Sequence, residues 1–210
     1  MSPERLHNHK RVSIPWGAWY RDSPLDLYFP ENCKIAECTM VDAPALTMDE
    51  LTQAFESPIQ SKVLRELAKG KERVIIAVED ITRPTKLVPI LERVLSELGE
   101  AGVEKEQITF LICNGGHAPM LGRDLMLKLG PAVLSEYAVT NHNPYDNLAE
   151  TKILVGKTSL RINRNYSRAD LKIAIGSITP HNFAGFSAGE NLYCRDYLTL
   201  LPWNIPTNPL

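Results

Sequence analysis

The chain lacks most of the signatures that announce a function at once. No apolar run is long enough for a transmembrane helix, and Met1-Ser-Pro-Glu-Arg5 leads into no apolar core of the secretory kind. A cytoplasmic protein is therefore expected. The formal charge is only −2, so no basic field exists to draw in a phosphate backbone or an anionic surface. Neither nucleic acid nor membrane is expected as a partner. Cys33, Cys38, Cys113 and Cys194 follow no zinc spacing, and without a secretory context nothing argues for pairing them. No Gly-x-Gly-x-x-Gly follows a strand pattern, and Gly156-Lys-Thr-Ser159 copies only the end of a Walker loop, so it reads as a turn. Internal repeats and low-complexity tracts are also missing.

What is present is an ordinary globular composition of 210 residues, 44% apolar and 23% charged, enough for one large domain or a domain with a small appendage. Residues 1–45 read as an extended, irregular, proline-broken segment, with Trp16, Trp19 and Tyr20 as expected packing anchors. Thr47-Met-Asp-Glu50 is a capping box opening a helix; Ser57-Pro58 interrupts it and Gly70 stops its continuation. Residues 73–78 and 108–113 are continuous apolar runs, the pattern of strands covered on both faces. Cys113 in the second run reads as packing. Residues 86–101 carry leucine and valine at helical spacing. Residues 121–129 and 132–137 read as helices split at Gly130-Pro131, and residues 137–140 as a third strand. A hairpin is expected from residues 152–155 and 160–163, and a further core strand at 171–175. Strand alternating with helix predicts an α/β fold on a parallel sheet, whose ligands bind at the carboxyl ends of the strands.

Three polar loops follow strand patterns. Asp80-Ile-Thr-Arg-Pro84 puts an acid and a permanent cation in one turn. An arginine fork can grip a carboxylate through two hydrogen bonds, while the acid can orient it or a nearby histidine; the alternative is a structural ion pair capping the next helix. Asn114-Gly-Gly-His-Ala-Pro-Met120 offers His117 as general base, metal ligand or plain loop residue. Ser177-Ile-Thr-Pro-His-Asn-Phe-Ala-Gly-Phe-Ser-Ala-Gly189 is a loop of small and aromatic residues, costly to order and suited to close backbone approach to a ligand. His181 at its mouth can exchange a proton near neutrality. His142, among asparagines, reads as a turn residue, and His7 and His9 as inert.

Together these loops resemble the N-terminal domain of the nickel-dependent lactate racemase family. Asp80, Thr82, Arg83 and Pro84 match its Asp-x-Thr-Arg-Pro loop. Gly115, His117, Pro119 and Met120 match Gly-Thr-His-Arg-Pro-Met. Pro180, His181, Phe183, Ala184, Gly185, Phe186, Ser187 and Gly189 match Pro-His-x-Phe-Ala-Gly-Phe-Ser-Gly-Gly. The resemblance covers residues 45–189 and implies an isomerase, the N-terminal α/β domain of a two-domain enzyme that racemises or epimerises a small 2-hydroxyacid. It implies a nickel–pincer nucleotide, held by a lysine, that accepts hydride from C2 while a histidine takes the hydroxyl proton. By motif, His117 and His181 are the two bases, Arg83 holds the substrate carboxylate with Asp80 in support, and Thr82, Gly115, Ser187 and Gly189 fall at cofactor-binding positions.

Departures from the pattern set further expectations. Gly116 and Ala118 replace threonine and arginine, so the hydroxyacid need not be lactate, and Ala188 replaces glycine. The family's lysine position holds Asn191, and its later nickel-binding histidine is missing. Residues 190–210 read as foreign to the family. A reading frame shifted by one nucleotide near codon 190 permits Lys-Ser-Leu-Leu-Pro-Gly, the family continuation, so the tail is expected to be frameshifted. The expected domains are thus 1–45, 46–189 and 190–210. The chain alone is expected to be inactive, not to hold the cofactor, and to self-associate through a cleft left open near Phe183 and Phe186. Two alternatives compete: a non-catalytic remnant binding a carboxylate or nucleotide, and a metal hydrolase using Asp80, His117, His142 and His181.

Overall fold

A computed structural model describes residues 9–17, 19–20, 23–38, 44–155, 157–181 and 185–186, excluding the side chains of Val155, Thr158, His181 and Phe186. The chain divides into two compact units, residues 1–51 and 52–210.

In the first unit, strands β1 (His9–Ile14) and β2 (Leu25–Pro30) pair antiparallel, His9 opposite Pro30 and Ile14 opposite Leu25. The segment is extended, as the sequence suggests, but it contains a strand pair that short polar runs between prolines conceal. Trp16 and Tyr20 are exposed and so are not the expected anchors. Helix α1 (Met48–Glu56) opens on the expected capping box: the Thr47 amide donates to Glu50 Oε2 at 2.8 Å, and the Glu50 amide donates to Thr47 Oγ1 at 3.3 Å.

The second unit is built on strands β3 (Val74–Glu79), β4 (Ile108–Cys113), β5 (Ala138–Asn141) and β8 (Leu171–Ile175), all parallel in the order β5-β4-β3-β8. Helices α2 (Leu64–Leu67), α3 (Val88–Glu100) and α4 (Arg123–Glu136), the hairpin β6 (Leu148–Val155) and β7 (Thr158–Asn163), and α5 (Arg164–Arg168) complete it. Alternate residues of the strands serve opposite faces. Val74, Ile76, Val78, Phe110 and Ile112 pack with Leu91, Leu98 and Leu129 of the helices. Ile75, Ala77, Leu111 and Cys113 pack with Tyr166 and Ala169. Coverage of both faces is why β3 is apolar from Val74 to Val78 and β4 is apolar apart from Thr109. The hairpin is longer than its sequence suggests and is irregular between Glu150 and Leu154. Within α4, Gly130 leaves the helix at φ 83° and ψ 163°, a conformation open to glycine and suited to the residue before proline. Pro180–His181 (β9) pairs antiparallel with Gly185–Phe186 (β10), so His181 faces Gly185 across a short backbone ladder.

Candidate active site

Strand register brings the loops together. Glu79 pairs with Cys113, Val78 with Ile175, and Ile112 with Asn141. The four strands therefore finish nearly level, and Asp80, Asn114, His142 and Gly176 leave the sheet at one edge, where a parallel sheet places its ligands.

Asp80 is buried and organises its own loop. Its Oδ1 accepts from the Thr82 amide at 2.9 Å and from Thr82 Oγ1 at 2.5 Å, and its carbonyl accepts from the Arg83 amide at 3.2 Å. This is the local turn an aspartate favours at the end of a strand. The other carboxylate oxygen, Oδ2, lies 2.6 Å from His117 Nδ1, with Asp80 5% and His117 47% exposed in their side chains. The expected alternative, an Asp80–Arg83 ion pair, does not form. Arg83 is half-buried, and among the described residues no carboxylate pairs with its guanidinium.

The loop carrying His117 is pinned at both ends. The His117 amide donates to the Asn114 carbonyl at 2.7 Å, and Asn114 Nδ2 donates to the His117 carbonyl at 3.0 Å. Gly115 sits at φ 51°, which lets so tight a turn close without a Cβ penalty. At the far end Asn141 Oδ1 accepts from the Met120 amide at 2.8 Å, and Asn141 Nδ2 donates to the Met120 carbonyl at 3.0 Å. A cavity of about 460 Å³ opens between this loop and the one after β5, with Gly115, Gly116, His117, Asn141 and Tyr145 in its wall.

A carboxylate can only accept, so Asp80 draws the proton of the neutral imidazole to Nδ1. That leaves Nε2 with a free lone pair on the half-exposed side of the ring. The arrangement is one a general base requires: a nitrogen open to a substrate proton and a partner that fixes the ring and steadies its charged form.

His142 is not the turn residue its asparagine neighbours suggest. It is buried, its amide extends the β4–β5 ladder to the Ile112 carbonyl at 2.9 Å, and its Nδ1 lies 3.5 Å from Asn163 Nδ2. It lines the cavity from beneath. Ser187, Gly189, Phe183 and the tail from residue 190 lie outside the described residues, as does the His181 side chain. Expectations that fall on them, including the open cleft near Phe183 and Phe186, lie outside the described residues.

Sequence reasoning missed Glu79 and Lys128. The Lys128 side chain is 0% exposed and its ammonium lies 3.2 Å from Glu79 Oε1, itself 6% exposed. Burial pushes the Lys128 ammonium below its usual range, and Glu79 beside it acts in the opposite sense. Only one signal was available, a lysine among leucines on the apolar side of α4. Among the described residues no three His, Cys, Asp or Glu side chains are grouped to hold a metal. Position 191 carries asparagine where the resemblance calls for a lysine. The position at which the family's lysine would anchor a nickel–pincer nucleotide thus lies outside the described residues, which group no donor set for its metal. No helix among them is long and apolar enough to cross a membrane.

Comparison with known proteins identifies the family and the fold. The chain is 32% identical over 144 residues to a lactate racemase of Thermoanaerobacterium thermosaccharolyticum, covering 68% of this chain and 34% of that protein. It is 32% identical over 147 residues to a lactate racemase of Lactiplantibacillus plantarum, with 68% and 34% covered. The chain thus spans about a third of the length of these curated relatives. The lactate racemase apoprotein structure from T. thermosaccharolyticum superposes with a TM-score of 0.68 at 26% identity, covering 90% of this chain and 44% of that one. The lactate racemase N-terminal domain family matches residues 20–192, and the chain belongs to that family.

Proposed function

We propose that this chain is the part of a 2-hydroxyacid racemase that grips the acid and moves its hydroxyl proton. The observation that carries the reading is the 2.6 Å contact between Asp80 Oδ2 and His117 Nδ1, with an arginine three residues after Asp80 that has no carboxylate partner among the described residues. Arg83 holds the substrate carboxylate in a bidentate grip. His117 Nε2 accepts the hydroxyl proton, and Asp80 stabilises the imidazolium that forms. His181, at the end of the loop after β8, serves as the base for the opposite enantiomer. Thr82, Gly115, Ser187 and Gly189 are proposed to approach the cofactor. Interconverting the two hands also requires an acceptor for the hydrogen on C2. The family resemblance assigns that work to a nickel–pincer nucleotide; position 191, where its lysine anchor would stand, carries asparagine, and no three ligating side chains are grouped among the described residues. The isolated chain is accordingly proposed to bind the acid without racemising it.

The test is binding by the chain itself, followed by NMR with L-lactate and with propionate, the same acid without its hydroxyl. Lactate should bind more tightly, because only lactate can donate to His117. Arg83→Met should weaken both by about tenfold or more, the worth of a charge-assisted hydrogen bond. Equal binding of lactate and propionate, unaffected by Arg83→Met, would refute the reading.

A further inference from the structure

The buried pair of Glu79 and Lys128 has a geometry that packing alone does not explain. A buried ion pair commonly gives no more stability than two apolar side chains of the same volume. Here the polar atoms have specific tasks. Lys128 reaches inward from α4, and its three ammonium donors face three acceptors: Glu79 Oε1 at 3.2 Å, the Arg83 carbonyl at 2.9 Å and the Thr85 carbonyl at 3.2 Å. Those two carbonyls flank Pro84 in a loop that makes neither helix nor strand, so they need partners from elsewhere. The second oxygen of Glu79 accepts from the Ser177 amide at 2.9 Å and from Ser177 Oγ at 3.3 Å. Ser177 opens the segment that leads, four residues on, to His181. Arg83, Lys128, Glu79 and Ser177 therefore form one continuous hydrogen-bonded line. It runs from the loop after β3 to the segment after β8, across the edge where the candidate site lies.

We propose that Lys128 and Glu79 are positioning residues: together they lock the Arg83 loop and the Ser177–His181 segment into a fixed relation, so that the substrate grip on one loop stays aligned with the other. Their catalytic relevance rests on the functional reading above, but the mechanical coupling does not. An apolar replacement of the pair would fill the space and leave both loops free to move independently. The coupling also explains why a lysine is accepted deep in the apolar layer beneath α4.

The experiment is amide hydrogen exchange and lactate titration on the 210-residue chain, with Lys128→Met and, should that variant fail to fold, Glu79→Gln. The Leu111 amide, in the core of β4, is the reference for global opening. In either variant the Ser177 amide should exchange at least tenfold faster relative to Leu111, and the amides of Thr82, Arg83 and Thr85 should shift. Lactate affinity should fall about tenfold although neither substituted side chain touches the acid. Unchanged exchange at Ser177 in Lys128→Met, or unshifted 82–85 amides in Glu79→Gln, would overturn the coupling. Altered amides with unaltered lactate affinity would overturn the positioning role. If the unsubstituted chain bound no lactate, the functional reading would fail, and the exchange data alone would decide the coupling.

Discussion

An ion pair lies at each end of β3, Arg73–Asp170 at its start and Lys128–Glu79 at its finish, and the two behave in opposite ways. Where the strands begin, Arg73 Nη2 lies 2.8 Å from Asp170 Oδ1 with the arginine side chain 65% exposed and the aspartate 30%. The Arg73 amide also donates to Asp170 Oδ2 at 3.0 Å. Either partner left alone can turn to water, so the pair is a clasp that can be lost at little cost. Where the strands finish, Lys128 and Glu79 have no such escape. Removing one leaves a charge stranded in an apolar layer. The same chemistry thus gives a replaceable clasp at one end and a fixed brace at the other, and the brace sits at the end that carries Asp80, Arg83, His117 and the approach to His181.

Breaking the brace should produce the largest effect. Lys128→Ala should cost about 3–5 kcal/mol, the range for orphaning a buried partner, and lower the thermal midpoint by roughly 10 °C for a domain of this size. Calorimetry would show it. Replacing both members with Glu79→Leu and Lys128→Met should recover most of that stability but not the exchange protection at Ser177. If the double variant stayed as unstable as the single one, burial of charge would not be the cause.

A smaller loss is expected from Gly130→Ala. The residue sits just beyond Lys128 at φ 83°, and a Cβ there would meet Val88 Cγ2 at 3.3 Å. Left-handed strain alone costs about 1–3 kcal/mol, and denaturant titration would measure it. Because the kink sets the course of α4, the same variant should also shift the Thr82–Thr85 amides.

At the opposite end the smallest effect follows from pH. The side-chain hydrogen bond from Arg73, helped by the backbone amide, holds the Asp170 carboxyl below its ordinary 3.8. A lowered carboxylate contributes stability that is fully present above that ordinary value and is lost as pH falls through the lowered one. Arg73→Met should therefore reduce stability slightly near pH 7, and that difference should shrink as pH falls below the ordinary 3.8 of Asp170. A large loss at pH 7 would erase the contrast between the two ends.

These contrasts also mark what the sequence could and could not reveal. Strands β3, β4 and β8 were legible because burial on one or both faces selects apolar runs, and the break in α4 because Gly130-Pro131 has few other uses. Asp80, Arg83 and His117 stood out because polar residues directly after such runs fall at the ligand edge of a parallel sheet. Their mutual distance was not legible: Asp80 meets His117 only through the Glu79–Cys113 register, which no local pattern encodes. Glu79 and Lys128 lie 49 positions apart, and a lysine in a helix reads as a solvated face until its neighbours are known. His142 misled for a related reason: asparagines on both sides signal a turn, but Asn141 clamps the preceding loop at Met120, and only Asn143 opens a turn, accepting from the Tyr145 amide.

The central claim is that Asp80 fixes the proton of His117 on Nδ1 and leaves Nε2 as the base. Nitrogen NMR of the neutral imidazole in the 210-residue chain tests it directly. The account predicts the Nδ1–H form in the unsubstituted protein. In Asp80→Asn it predicts a shift to the Nε2–H form, because the amide oxygen stays with the Thr82 donors and the amide nitrogen donates to Nδ1. An Nε2–H imidazole in the unsubstituted protein, or a tautomer indifferent to Asp80→Asn, would contradict it.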